Sequence, residues 1–511
     1  MSRKRKVLQG SASNLIRVLL SMLVSLVLPP FLVHHMAASE YSAWVLILQL
    51  SAYVGLLDFG LQTAIGKYVA EYDAGGQRDA IHSLVSTSFS LLALAAAIAC
   101  TAVAGMALSV PRLFHQMPAA LVPEVRIALL AVGLSSAFAL PFGTFLSTFT
   151  GLQQYFFPTA VSIFIRIGTA SSLVFLLLMH CSLVQLALAM AAFNVAAAAI
   201  QFLGWQRLVK QRVDFSFFFF DRLSAVKLVK YGSALSVWSL ASFFISSLDL
   251  VIIGHFRYAA TGFYAIANGP ANFMLALVSS AFGPLLPAVS SMQSSATPIR
   301  IGDLCIKMTR YCALFLFLLG LPLLFCAYPV LSLWVGKRYA AQSALYLEVL
   351  ILSNVVRQLV SPYVLVVVAT GKQRLATIGA ILEALVNVTL SIWLVQRIGA
   401  VGVAIGTFVG AFVGLGMHLL VSIPLTRKAI QMDRSRFLLY GVARPCLVLI
   451  PSLFLLPFWS RTAMLPAQPG VLALWAAASS AIAWKVVLTA EDRQEFGSFM
   501  NRLLYWRVER T

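Results

Sequence analysis

The sequence predicts an all-α polytopic membrane protein of about fourteen transmembrane helices, on three observations. The 511 residues are 60% hydrophobic and only 11% charged. Soluble domains carry roughly 25% charged residues, so too few are present to build a water-facing surface. Mean hydropathy is +0.90, and apolar stretches of about 20 residues, enough to cross the hydrocarbon core as a helix, recur along nearly the whole chain. These stretches are continuous, unlike the ~10-residue alternating segments of a transmembrane barrel.

In chain order the expected spans lie roughly at 13–35, 43–66, 83–107, 125–148, 156–179, 184–204, 230–254, 261–289, 310–333, 344–368, 376–395, 400–423, 438–458 and 469–489. The start "MSRKRK" before an apolar run mimics a secretory signal. The run is long and many spans follow, which predicts an uncleaved first helix. Pro29 and Pro30 are expected to bend or break span 1. Prolines also interrupt spans 4, 8 and 13, at Pro141, at Pro270, Pro284 and Pro287, and at Pro445, Pro451 and Pro457.

An even number of spans puts both termini on one side. The loops on that side, with the termini, hold roughly four times as many Lys and Arg as the opposite loops, which predicts cytoplasmic termini. The net charge of +20 is therefore a topology signal, and nucleic acid is excluded as a partner. The opposite loops reach only about 17 residues, well short of the ~50 of a small domain. That leaves no room for an external catalytic domain and predicts a protein that is not an enzyme. The six cysteines form no CxxC or Cys/His spacing, so neither a disulfide framework nor a metal site is expected. No GxxxxGK[ST] loop is present, which excludes ATP hydrolysis by this chain.

The longest internal connection, 205–229, includes part of "VDFSFFFFDRLSAVKLVK". Its phenylalanines beside Arg222, Lys227 and Lys230 either lie along the inner leaflet as an amphipathic segment or pack on neighbouring spans. Either way it is the expected boundary between a lobe at 1–204 and a lobe at 230–423, with 424–511 adding two helices and a basic tail. A repeat supports the division: "AASEYSAW" (37–44) follows span 1, and "AATGFYAI" (259–266) follows span 7, 222 residues later. Six spans between equivalent points preserve orientation, so the halves are expected to be related by an axis along the membrane normal.

An ionised residue at a helix centre costs ~2.5–3.5 kcal/mol on insertion scales, and such residues face a bundle interior or a wet cavity. At 1.5 Å per residue, Asp58 falls roughly 12 Å from the cytoplasmic end of span 2 and Arg17 about 6 Å from the same side on span 1. An Arg17–Asp58 pair is expected, with Gln62 extending the polar face. Arg357 on span 10 and Glu383 on span 11 form a second candidate pair, a clamp between helices or part of a passage. Arg166, about 15 Å into span 5, has no partner nearby in sequence and is the stronger candidate for holding an anion. Asp249 lies near the outer end of span 7, where water or Arg257 would satisfy it. Lys67 and Glu71 have the i, i+4 spacing of a weak helix-surface pair, and Lys67 is also placed to meet a phosphate at the cytoplasmic mouth.

The stretch "GLLDFGLQTAIGKYVAEYDAGG" (55–76) resembles the second helix of Wzx-type polysaccharide flippases, in the multidrug/oligosaccharidyl-lipid/polysaccharide exporter superfamily. "TGLQQYFFPTAVSIFIRIG" (150–168), "FDRLSAVKLVKYGSALS" (220–236), "ATGKQRLATIGAILEALVN" (369–387) and "RIGAVGVAIGTFVG" (397–410) resemble that family's signatures in the same order. The resemblance implies two six-helix lobes around a central cavity, two added C-terminal helices, and the bacterial cytoplasmic membrane as location. It implies a polyprenyl-pyrophosphate-linked oligosaccharide as cargo, moved by alternating access among membrane lipids, with polymerase and glycosyltransferases as partners. No cofactor is implied; a Na+ or H+ gradient would supply the drive. A pyrophosphate needs protected cationic groups. Arg17, Lys67 and Arg166 are therefore assigned to the phosphate, and Asp58 and Asp249 to orienting them or carrying a coupling cation. A cation-coupled multidrug exporter of the related branch is the alternative, which would favour buried acids without basic partners. A membrane-embedded glycan polymerase or ligase would call for a large external loop, and a scaffold would leave the intramembrane charges unexplained.

Overall fold

A computed structural model of the chain describes residues 3–210, 213–217, 219–283, 285–292, 297–453, 468–495 and 497–498. Every regular element among them is helical, as expected where backbone groups must be satisfied within lipid. Twelve helices among the described residues are long and apolar enough to cross a membrane, by length and composition. Shorter apolar helices cover Phe243–Phe256 and Leu472–Val487. These fourteen segments fall on the fourteen expected spans, with spans 7 and 14 the short ones.

By contacts the chain divides into one unit of residues 1–269 with 388–403, and a second of 270–387 with 404–511. The segment 205–229 falls within the first of these units. Its continuation explains why. Helix α9 (Arg222–Ser246) packs on α3 (Leu61–Ala74) and α4 (Arg78–Leu113), and α10 (Asp249–Phe256) packs on α2 (Ala38–Ala52).

The strap 213–221 is tied down at several points. The Ser216 N–H donates to Ser86 Oγ at 3.1 Å, the Asp221 N–H to Thr87 Oγ1 at 2.9 Å, and Ser83 Oγ to Asp221 Oδ2 at 3.1 Å. Asp221 also caps α9 by accepting from Leu223 and Ser224 N–H. Phe215 reaches Phe145, 5.2 Å between ring centroids, and Phe217 sits 5.4 Å from Phe89. Phe219 rests 5.1 Å from His82, while Phe220 stays 56% exposed. Packing on neighbours thus accounts for the first part of the aromatic run, and its end faces outward.

Span 2 is not one helix. It runs as α2, a 3-10 turn over Tyr53–Asp58, and α3, with Phe59 (φ 46) and Gly60 (φ 67) both left-handed at the corner. Left-handed backbone suits glycine and strains phenylalanine by roughly 1–2 kcal/mol. The restarted helix needs acceptors for its first N–H groups, and Asp58 Oδ1 takes the Gln62 N–H at 3.3 Å. A second break faces this one: the Ser247 carbonyl, where α9 gives way to α10, accepts from Gln49 Nε2 and the Tyr53 hydroxyl at 3.0 Å each. Hydrogen bonds between membrane helices contribute on the order of 0.6 kcal/mol apiece, so this junction rests on several weak contacts. Span 1, by contrast, continues through Pro29 and Pro30 to His35 as α1 (Arg3–His35). Of the two expected outcomes, a bend or a break, the break does not occur.

The two repeat copies touch. The Tyr258 hydroxyl donates to the Ser39 carbonyl at 2.7 Å and the Gly262 N–H to Ser42 Oγ at 3.1 Å. A Cβ at Gly262 would come within 3.0 Å of both Ser42 and Tyr41, so glycine is what permits the approach.

The second unit is built on α13 (Pro298–Phe325), which packs on α15 (Lys337–Gln358) and α16 (Ser361–Ala369). The middle of α13 is latched to the C-terminal segment. Asp492, 3% exposed, accepts from Arg310 at 2.5 Å and the Tyr311 hydroxyl at 2.6 Å, while Lys307 reaches Glu495 at 2.7 Å.

Candidate functional site

A cavity of about 490 Å³ lies within the first unit, walled by α1, α2, α7 (Phe156–Leu178) and α8 (Leu183–Leu208). Its size is that of a ligand site, for which roughly 300–1,000 Å³ is usual. The lining is mainly apolar, from Leu28, Leu32, Val45, Leu48 and Leu173, with a few polar groups placed among them. Among the described residues Arg166 is the one charged side chain lining it, and it is itself exposed. One guanidinium N–H donates to Ser25 Oγ at 3.0 Å, and no ion pair among the described residues neutralises it. Its remaining N–H groups stay available as a fork that matches phosphate oxygens.

Two features besides Arg166 belong to the site, of which the sequence reading singled out only Pro29. Trp44 lines the cavity and is 1% exposed, yet its indole N–H finds no acceptor among the described residues. A buried donor left unmatched costs about 1–3 kcal/mol. Pro29 also lines the cavity, and lacking an N–H it deprives the Ser25 carbonyl of its helical partner. Asn194 completes the polar set, its amide anchored on Ser135 and Ser136 Oγ at 3.1 and 3.3 Å. A tryptophan within an apolar span signals core, and nothing local in the sequence marks its N–H as unmatched.

The other candidates lie elsewhere. Arg17 is exposed on α1, two turns before Ser25 and outside the cavity lining. Among the described residues no ion pair joins it to Asp58, so that expectation is corrected: Asp58 instead caps the broken helix. Lys67 is exposed and stands over the Tyr231 ring at 4.2 Å and the Tyr68 ring at 4.9 Å. These rings, rather than Glu71, are its neighbours, because α9 brings Tyr231 alongside. Asp249 is buried rather than hydrated. It is 5% exposed at the first turn of α10 and accepts from the Tyr264 hydroxyl at 2.8 Å. In the second unit Arg357 Nε donates to Glu383 Oε1 at 2.6 Å and Nη1 to Asn354 Oδ1 at 3.1 Å. Of the seven candidates, the first unit's cavity takes up Arg166. No cluster of metal-ligating side chains occurs among the described residues.

No curated protein matches the sequence. Solved structures match at low identity. Lipid II flippase MurJ in an inward closed conformation aligns with a TM-score of 0.70 and 13% identity, covering 94% of this chain and 99% of that one. An inward-facing multidrug resistance MATE family transporter of the MOP superfamily gives 0.60 and 14%, covering 81% and 99%. The bent form of the Vibrio cholerae MATE transporter VcmN gives 0.56 and 16%, covering 84% and 98%. At such identities the likeness is one of fold. A family model described as polysaccharide biosynthesis protein matches residues 39–344. That match spans more than half of the 511 residues, and the chain belongs to the polysaccharide biosynthesis protein family.

Proposed function

We propose that the protein is a flippase that carries a polyprenyl-pyrophosphate-linked oligosaccharide across the bacterial cytoplasmic membrane, with both termini on the cytoplasmic side. The observation that carries this reading is the cavity lined by Arg166, whose charge is paired by no carboxylate among the described residues, and by the buried Trp44. Arg166 offers donors to a phosphate or sugar oxygen, while the prenyl chain needs no protein site and stays in lipid. Family membership and a fold shared with a lipid-linked flippase support it. The multidrug alternative fits less well, since among the described residues no Asp or Glu lines this cavity to attract a cation.

Alternating access between lobes at 1–204 and 230–423, with 424–511 as an addition, belongs to the same proposal. So do a Na+ or H+ gradient as the drive, Asp249 as the coupling carboxylate, Arg17 and Lys67 as outlying phosphate contacts, and a polymerase and glycosyltransferases as partners. Purified protein in liposomes loaded with a polyprenyl-pyrophosphate oligosaccharide tests the reading. Glycan should become accessible to an added glycosidase faster than in protein-free vesicles. Arg166→Ala should slow this at least about tenfold, the loss of one charge-assisted contact. Transport of organic cations without glycolipid movement would overturn it.

A further inference from the structure

A second built hollow lies in the second unit. The turn between the spans Val401–Thr426 and Arg434–Leu453 surrounds a groove of about 510 Å³ lined by Ile299, Pro424, Arg427, Gln431, Arg434 and Arg436 among others. A turn between consecutive spans sits at a membrane face, and the Lys/Arg bias of this side marks it as the cytoplasmic one.

The groove is held in shape. The Gln431 N–H donates to the Pro298 carbonyl at 3.0 Å, and a Cβ at Gly302 would strike the Gln431 carbonyl, so α13 and the turn lock together. Arg434 Nη2 donates to the Leu420 carbonyl at 3.1 Å, which fixes one guanidinium and leaves its other donors. π-helical stretches at His418–Ser422 and Phe437–Ala443 bracket the turn, a backbone form that concentrates at functional sites.

Charge and apolar surface then select the occupant. Three arginines line the groove against one acid, Asp433. The Arg436 contact with Asp303 is long, 3.7 Å, and exposed on both sides. Beside the arginines Ile299, Pro424 and Met432 also line the groove, and Ile299 is 51% exposed, which gives it an apolar part. An anionic phosphodiester with acyl chains attached satisfies both parts at once, whereas a choline headgroup would set its ammonium among three guanidiniums. We propose that this groove binds the headgroup of an anionic glycerophospholipid of the cytoplasmic leaflet, separately from the cargo cavity.

Native mass spectrometry of the purified chain with equimolar phosphatidylglycerol and phosphatidylcholine reads the site directly. The wild type should retain phosphatidylglycerol in preference. Arg427→Gln with Arg436→Gln should weaken that retention by roughly fivefold per arginine. Arg427→Lys with Arg436→Lys should keep it, which separates lost charge from lost folding, and Arg222→Gln serves as a control that leaves it unchanged. Equal retention of phosphatidylcholine, or undiminished phosphatidylglycerol on the Gln pair, would overturn the assignment. Displacement of the lipid by millimolar inorganic phosphate would reassign the groove to soluble anions, and preferential capture of a polyprenyl diphosphate would reassign it to the cargo.

Discussion

Arg166 and Arg357 both lie inside apolar spans, Phe156–Leu178 and Lys337–Ala369, and the protein treats them in opposite ways. Arg357 is closed off by Glu383 at 2.6 Å and Asn354 at 3.1 Å, in a site where Glu383 is 7% exposed. Arg166 has a neutral serine and a cavity. A guanidinium engaged by a carboxylate holds helices together with its charge neutralised, even where, as at Arg357, Nη2 is buried with no acceptor among the described residues. One engaged only by a hydroxyl keeps its charge for whatever enters. The contrast separates structural from functional cations by partner type, not by depth in the membrane.

The largest effect should come from breaking the closed pair. Arg357→Ala leaves a buried carboxylate unpaired and is expected to destabilise the protein by about 3–5 kcal/mol, read as a lowered thermal midpoint. Replacing both partners, Arg357→Met with Glu383→Leu, should recover most of that loss, since an apolar pair of similar volume avoids the desolvation cost. A double variant as unstable as the single would mean that Glu383 does not act through Arg357. Arg166→Ala should instead leave the thermal midpoint nearly unchanged, forfeiting only the Ser25 bond of about 1 kcal/mol.

The latch at the C-terminal segment is intermediate. Burial pushes the Asp492 carboxyl up, but the Tyr311 hydroxyl, Thr489 and the Arg310 charge outweigh it and hold the group below the ordinary carboxylate value. Its contribution is therefore full above that ordinary value and is lost as pH falls through the lowered one. Asp492→Asn should cost about 2 kcal/mol and expose the C-terminal segment to protease at neutral pH. In the wild type, cleavage there should rise only below about pH 4.

The smallest effect concerns the α9 cap. Hydrogen bonds from Ser224, with help from Leu223 and Ser83, lower Asp221 from 3.8 to about 2. Amide exchange at Leu223 and Ser224 should stay slow above that ordinary value and quicken between it and about 2. Exchange that ignores pH in this window would show the cap to be idle.

Much of the fold was legible because lipid imposes one rule on every span, so apolar length alone located the fourteen segments. The repeat was legible too, and its copies meet at Ser42 and Gly262. What local composition hides is a break inside an apolar run. Asp58-Phe59-Gly60 looks like a charge in a helix, and only the left-handed corner shows that the carboxylate caps a restart. The Asp492 latch joins residues 182 apart in sequence, with no periodicity to announce it. Within the site, Arg166 stood out because nothing near it in sequence could neutralise it. Trp44 did not, because whether an indole N–H is matched depends on three other helices.

The most direct test of the account is the affinity of the detergent-purified protein for polyprenyl diphosphate, compared between wild type and Arg166→Ala, with Arg166→Lys as the charge-conserving variant. The account predicts binding at least about tenfold weaker for the alanine variant, a partial loss for lysine because it cannot bind bidentately, and unchanged thermal midpoints. An alanine variant that folds normally and binds the diphosphate as tightly as the wild type would contradict it.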